Sequence, residues 1–295
     1  MYMRHIKTVV IFCLLIVIFQ SACVLAAPPR KGDWGLYWKA AKKKYQTSTG
    51  EKKPGWFSAG LTKILKKLDN YYDAIQEFHG KELRALKVGN EDTVNILKNN
   101  GVNKFNRYYT IFIKKNKAYQ KKLKKAYKKA KKAKKNRDKN KRKSKALKKI
   151  QKSLTKIQKS IVESKEEFDD MVEHYELRMK EAKLMQKRLK KAKADFQKWY
   201  KIVASEKTVD AQIAEFNQSH NTTAVGPLCE ALEFFAVFSG VSENIKGKIK
   251  VLTKNRKIDP NGKNENEKLQ LLSTGIEELT KDFDATIREM EAYWE

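Results

Sequence analysis

Apolar residues recur along this chain at two closely related spacings, and both are helical. From Phe57 onward Leu61, Ile64, Leu65, Leu68, Tyr72, Ile75 and Phe78 return every three or four positions. That stripe predicts a core-facing helix running to about Val88, where Gly89-Asn90 supplies a stop. A loop or short helix is expected from Asn90 to Gly101. Beyond it no Gly or Pro interrupts the chain between Val102 and Val225, and the spacing becomes heptad-like in two blocks. In the first, the pairs Tyr109/Phe112, Asn116/Tyr119, Leu123/Ala126 and Ala130/Ala133 repeat every seven residues. In the second, Leu147, Leu154, Ile161, Phe168, Tyr175, Ala182, Leu189, Phe196 and Val203 hold one heptad position, with Ile150, Ile157, Ser164, Met171, Arg178, Met185, Ala192 and Trp199 at its companion. A straight helix through the second block alone would extend on the order of 90 Å at 1.5 Å per residue.

Between the blocks, Lys134 to Ala146 carries no large apolar residue, and the heptad frame is out of register on its two sides. A seam that loses its frame must bend, which predicts a hairpin tip or hinge near Asn136 to Ser144, with the two long helices antiparallel. The alternative is one continuous helix with a local stammer, because Lys, Arg and Ala all favour helix.

The ends of the chain read differently. Residues 1–26 have the three parts of a secretory signal: Arg4 and Lys7, an apolar run from Val9 to Phe19, and small residues near Ala26. A secreted or secretory-lumen protein is expected, with an uncleaved N-terminal anchor as the alternative. Two N-glycosylation sequons, at Asn217 and Asn221, fit that route. Residues 27–55 form a basic amphipathic segment and linker. Trp34, Tyr37, Trp38, Ala41 and Tyr45 share one face against Lys39, Lys42, Lys43 and Lys44. Such a helix either lies in a membrane interface, with Trp34, Tyr37 and Trp38 as the inserting residues, or packs on the body of the protein.

The remainder, 56–295, is expected to be one elongated helical domain. After a polar stretch beyond Glu206, Pro227 opens the most apolar helix, with apolar residues from Leu228 to Val241 over most of its circumference. Asp259-Pro260-Asn261-Gly262 is a turn. The last helix, Glu265 to Trp294, has an apolar face and an acidic one.

Charge sharpens this picture. The chain carries a formal net charge of +31. Between Lys114 and Ile150 stand 21 basic residues and one acid, Asp138, an excess of 20 that is about two thirds of the total. The candidate anion-binding residues are Lys121, Lys122, Lys124, Lys125, Lys128, Lys129, Lys131, Lys132, Lys134, Lys135, Arg137, Lys139, Lys141, Arg142 and Lys143. Interleaved Tyr119, Leu123, Tyr127 and Ala130 predict that they decorate an ordered helix rather than a solvated tail. Like charges at i and i+4 repel, a cost that a polyanionic partner relieves.

Chemistry beyond binding has little to work with. His174 shares a helix face with Asp170 and Glu166, but no second His or Glu-x-x-His pair completes a metal site. Cys229 lies on an apolar helix and reads as a buried thiol. No phosphate-cradling glycine loop is present. The expectation is an all-α, non-enzymatic protein without cofactor.

This arrangement resembles the BAR and F-BAR superfamily of membrane-curving proteins over roughly Trp56 to Leu252. The resemblance lies in a core helix ending near Val88, a long helix from about Asn103, a basic tip near Asn136 to Ser144, the heptad helix Leu147 to Val203 and a final apolar helix from Pro227. It implies an elongated bundle of long antiparallel coiled-coil-like helices, a homodimer formed through the heptad helices, and binding of anionic membrane by the lysine-rich helix. The secretory signal departs from that family, which acts on the cytosolic leaflet. Alternatives are a secreted protein that captures an acidic glycan or, less favoured, nucleic acid; a helical pore former inserting Leu228 to Val241; and a purely structural coiled coil.

Overall fold

The computed structural model describes residues 28–51, 59–84, 89–206, 208–239, 242–255 and 257–294. The fold is all-α, and the described residues contain no strand. In chain order the helices are α1 (Trp34–Thr49), α2 (Ala59–Arg84), α3 (Glu91–Ile96), a π-helical turn (Leu97–Val102), α4 (Asn103–Lys132) and α5 (Arg137–Val203). They continue with α6 (Val209–Ser219), a second π-helical turn (His220–Val225), α7 (Gly226–Ser239), α8 (Ser242–Asn255) and α9 (Glu265–Trp294). The signal segment 1–26 and residues 52–58 and 85–88 lie outside the described residues.

The chain divides into two compact units, one of residues 1–81 and 95–173, the other of 82–94 and 174–295. This grouping differs from the sequence segmentation, which sets 27–55 apart from a single domain 56–295. In the first unit α1 is a core element. Trp34 and Trp38 are fully buried and Tyr37 nearly so. Trp34 meets Tyr72 edge-on with ring centroids 5.4 Å apart and donates its indole N–H to Ser160 Oγ at 2.9 Å. Trp38 stands edge-on to Tyr119 at 6.5 Å. The membrane-interface role expected for Trp34, Tyr37 and Trp38 is therefore corrected: their face packs on the bundle, because α2, α4 and α5 together leave an apolar groove that a three-aromatic stripe fills.

A carboxylate from another helix seats the start of α1. Asp33 at the N-cap makes no side-chain cap bond. Instead Asp69 of α2 accepts from the backbone N–H groups of Trp34 and Gly35, at 2.8 and 2.9 Å, and so satisfies two donors that the helix leaves unpaired. Gly35 permits the approach, since a Cβ there would sit 2.6 Å from an Asp69 carboxylate oxygen.

Helices α4 and α5 form the antiparallel hairpin that the broken heptad frame predicts. Asn116 donates to Gln158 at 2.8 Å, and Asn106 to Asp169 at 3.2 Å, so ten residues back on α4 correspond to eleven forward on α5. The continuous-helix alternative does not occur. The turn is shorter and earlier than Asn136 to Ser144: α4 ends at Lys132, and α5 starts at Arg137. Asn136 adopts φ 51°, a left-handed conformation that Asn tolerates better than most residues.

The heptad residues Leu147, Ile150, Leu154, Ile157, Ile161 and Phe168 are buried in this unit, and Phe105 meets Phe168 edge-on at 5.0 Å. These positions of the heptad seam are thus buried within one chain.

In the second unit the later part of α5 packs with α6 to α9. Leu189 and Phe196 of α5 join Phe216, Leu228, Leu232, Leu279, Phe283 and Met290 in one core. The polar stretch beyond Glu206 is helical from Val209 onward. Its π turn ends at Gly226-Pro227, where proline removes an N–H from the ladder, and Gly226 N–H reaches back to the Asn221 carbonyl. Helix α7 buries one face only: Leu228, Ala231, Leu232 and Phe235 are inside, whereas Val237 is 72% exposed. No helix among the described residues is long and apolar enough to cross a membrane.

Candidate functional site

The hairpin end of the first unit gathers the cationic residues singled out in the sequence. Lys121, Lys122, Lys124, Lys125, Lys128, Lys129, Lys131 and Lys132 lie on α4, Lys134 and Lys135 in the turn, and Arg137, Lys139, Lys141, Arg142 and Lys143 on the first turns of α5. All are exposed except Lys143, which is half-buried. Among the described residues Lys143 alone of the fifteen has a carboxylate partner, Glu51, at 2.8 Å. That ammonium group holds the Glu51 carboxyl below the usual glutamate range. Lys143 therefore leaves the candidate set as an internal clasp between α5 and Glu51, which follows the Gly50 cap of α1.

Order at this end comes from the opposite face of the same helices. Tyr119, Leu123 and Ala130 of α4 and Ala146, Leu147 and Ile150 of α5 are buried, so lysines on intervening positions are forced outward by helical period. At the turn, Asn140 donates its backbone N–H to Asn136 O at 3.0 Å and its side-chain amide to Lys135 O at 2.6 Å. Lys129, Lys131 and Lys132 stand in the last turn of α4, where a helix end favours positive charge. Arg137 and Lys139 stand in the first turn of α5, where it does not, relieved only by Asp138. A cleft of about 560 Å³ opens here, with Lys131, Lys132, Lys134, Arg137 and Lys141 around it and no acid in its lining.

The two sequons separate. The Asn217 side chain forms a paired hydrogen bond with the backbone of Ile258, donating to its carbonyl at 2.8 Å and accepting from its N–H at 2.9 Å. It works as a structural clamp on the segment before α9, and a glycan on its amide would compete with that clamp. Asn221 is exposed on the π turn.

Other titratable groups do not converge. Among the described residues no three His, Cys, Asp or Glu side chains are placed to hold a metal ion. His174 is exposed. Burial pushes the Cys229 thiol up from its ordinary value, the opposite of what a nucleophile needs.

Sequence reasoning missed three features that the bundle creates: the Asp69 clamp on α1, the Glu51–Lys143 pair, and a hollow between α1 and α5 rimmed by Lys44, Lys149, Lys152 and Lys156. The i, i+3, i+7 spacing of the last three lysines was visible. The groove wall that α1 supplies was not. Comparison of the chain with protein-family models, with curated proteins and with solved structures finds no match to any of them.

Proposed function

We propose that this protein is a non-enzymatic binder of anionic membrane surfaces, held to them by the lysine hairpin of α4 and α5. One observation carries the reading. Fourteen cationic side chains between Lys121 and Arg142 are exposed on ordered backbone, with no carboxylate partner among the described residues. Each Lys or Arg brought near an anionic leaflet contributes about 1 kcal/mol. A hairpin presenting even half of them would bind with several kcal/mol, and the attraction would fall steeply with salt.

The burial of Trp34, Tyr37 and Trp38 changes the expected mode. Without an aromatic wedge, attachment is Coulombic and peripheral rather than insertional. The basic hairpin tip is the part of the BAR-like reading that we retain; the heptad dimer is not needed for it. Secretion, argued from residues 1–26, belongs to the same reading and places the target surface in the secretory lumen or outside the cell. Loss of the insertion route also favours a second reading, since a dense acidic glycan or nucleic acid would reward the same lysines by counterion release.

Co-sedimentation with liposomes of graded phosphatidylserine content, at low and high salt, tests the proposal. Binding that rises with phosphatidylserine and is lost at high salt is the expected result. Equal binding to neutral and anionic liposomes at low salt would reject the reading. Competition by heparin with no liposome binding would transfer the function to polyanion capture.

A further inference from the structure

We propose that the hollow between α1 and the N-terminal part of α5, within the first unit, is a binding site for a phosphate monoester whose carbon body rests on a tyrosine floor. This site is separate from the tip cleft, shares no lining residue with it, and stands whether or not the tip binds membranes.

The hollow has a volume of about 220 Å³ and opens to solvent. Its lining is rich in lysine: Lys149, Lys152 and Lys156 come from successive turns of α5, and Lys44 comes from α1. No acid lines it; Glu51, which accepts from the hydroxyl of the floor residue Tyr45 at 3.3 Å, is paired with Lys143 at 2.8 Å. Lys44, Lys149 and Lys152 alone put three positive charges around one concavity, and a doubly charged ligand offsets them more fully than a singly charged one. The site therefore selects a monoester over a diester.

The floor is of another kind. Tyr37, Tyr45 and Ile150 make it apolar, while the Tyr37 and Ser153 hydroxyls hydrogen-bond to each other at its base. Burial pushes the Tyr37 phenol up from its ordinary value, so it stays a neutral hydrogen-bonding group at physiological pH. Two small residues, Ala41 and Ala146, also line it. Size limits the occupant, because ligand pockets for drug-sized molecules run to about 300–1,000 Å³ and this one is smaller. A single headgroup or a small aromatic or sugar phosphate fits; a polymer can place only one unit inside.

The ligand could be a soluble monoester or a phosphomonoester lipid headgroup, and the experiment separates the two. Phenyl phosphate binding to the full chain is measured by calorimetry, with diphenyl phosphate as the singly charged comparison. Vesicles of phosphatidylcholine with a minor fraction of phosphatidic acid form the lipid arm. Two variants probe the site without touching the core. Ser48→Trp blocks the mouth from an exposed position and leaves the charge unchanged. Lys152→Gln removes one rim cation, and Lys187→Gln, an exposed lysine elsewhere, controls for charge alone.

Phenyl phosphate should bind the native chain more tightly than diphenyl phosphate does, and each site variant should weaken it about tenfold, the worth of one charge-assisted contact. The Lys187→Gln control should match the native chain. Sensitivity of the vesicle arm alone to Ser48→Trp would support the headgroup as source. If both site variants bind both probes as the native chain does, or if neither probe binds the native chain, the proposal is overturned.

Discussion

The hairpin end of the first unit and the C-terminal unit are built from the same lysine-rich helical sequence, yet they differ in what surrounds the lysines. In the C-terminal unit Lys190 pairs with Glu291 at 2.7 Å, Lys193 with Asp284, and Lys248 with Glu289 at 2.8 Å, because the acidic face of α9 is folded against α5 and α8. At the hairpin end the fourteen cations of the candidate set other than Lys143 are exposed and, among the described residues, have no carboxylate partner. Lysine content alone therefore does not make an anion-binding surface. On the proposed reading, such a surface needs lysine on ordered backbone that no neighbouring element neutralises.

Removing the unpaired charges is the largest test of that difference. Replacing Lys121, Lys122, Lys124, Lys125, Lys128, Lys129, Lys131 and Lys132 by Gln should lower the affinity for anionic liposomes by at least about a hundredfold, at about 1 kcal/mol per lysine in reach of the surface. Replacing the paired Lys190, Lys193 and Lys248 should leave liposome binding within about twofold, each exposed pair being worth under about 1 kcal/mol to the fold. Co-sedimentation of the two variants side by side reads the contrast; similar losses would dissolve it.

A core substitution asks whether the hairpin surface depends on the bundle beneath. Trp34→Ala should destabilise the first unit by about 3–5 kcal/mol, because a fully buried indole that meets Tyr72 and bonds Ser160 leaves a large cavity. Chemical denaturation followed by circular dichroism measures it, and a cost near zero would mean that α1 is not seated as described.

Asp69 gives a smaller, pH-dependent effect. Burial raises its carboxyl to about 7, against the two backbone N–H groups that favour its charged form. A carboxyl raised on folding contributes stability that is full below its unfolded value near 3.8 and is lost as pH rises through 7. Relative to Asp69→Asn, which cannot ionise, the native chain should therefore lose stability between pH 4 and pH 7. Melting temperatures across that range test it; a constant difference between the two proteins would contradict the assignment.

The smallest expected effect comes from Glu51. Glu51→Gln frees Lys143 to join the unpaired set and should tighten liposome binding only a few-fold, at about 1 kcal/mol for the added cation. The same change should cost under about 1 kcal/mol of stability, since the pair is partly exposed. Affinity that falls instead would show that Lys143 serves better in its clasp than in solvent.

Much of the helical layout was legible from periodicity. The Leu61 to Phe78 stripe and the two heptad blocks became α2, α4 and α5, because a side chain repeating every three to four residues can be buried only on a helix. The out-of-register frame located the hairpin to within a few residues, since a turn must fall where no apolar seam continues. Harder to read were the π turns at Leu97–Val102 and His220–Val225, where Asn, Gly and Thr look like loop yet stay helical between packed segments. Asn217 read as a glycan acceptor because a sequon is local, whereas its bond to Ile258 is not.

By itself the sequence determined that this chain is helical, where its long helices reverse and where its positive charge accumulates, because those follow from residue spacing and from formal charge along one dimension. Tertiary structure alone decided which stripe met which. It buried Trp34, Tyr37 and Trp38, packed the heptad seam inside one chain, matched C-terminal lysines with the acids of α9 and, Lys143 apart, left the hairpin cations without carboxylate partners among the described residues. Burial and charge pairing depend on distances between segments far apart in sequence, and those distances exist only once the helices have packed.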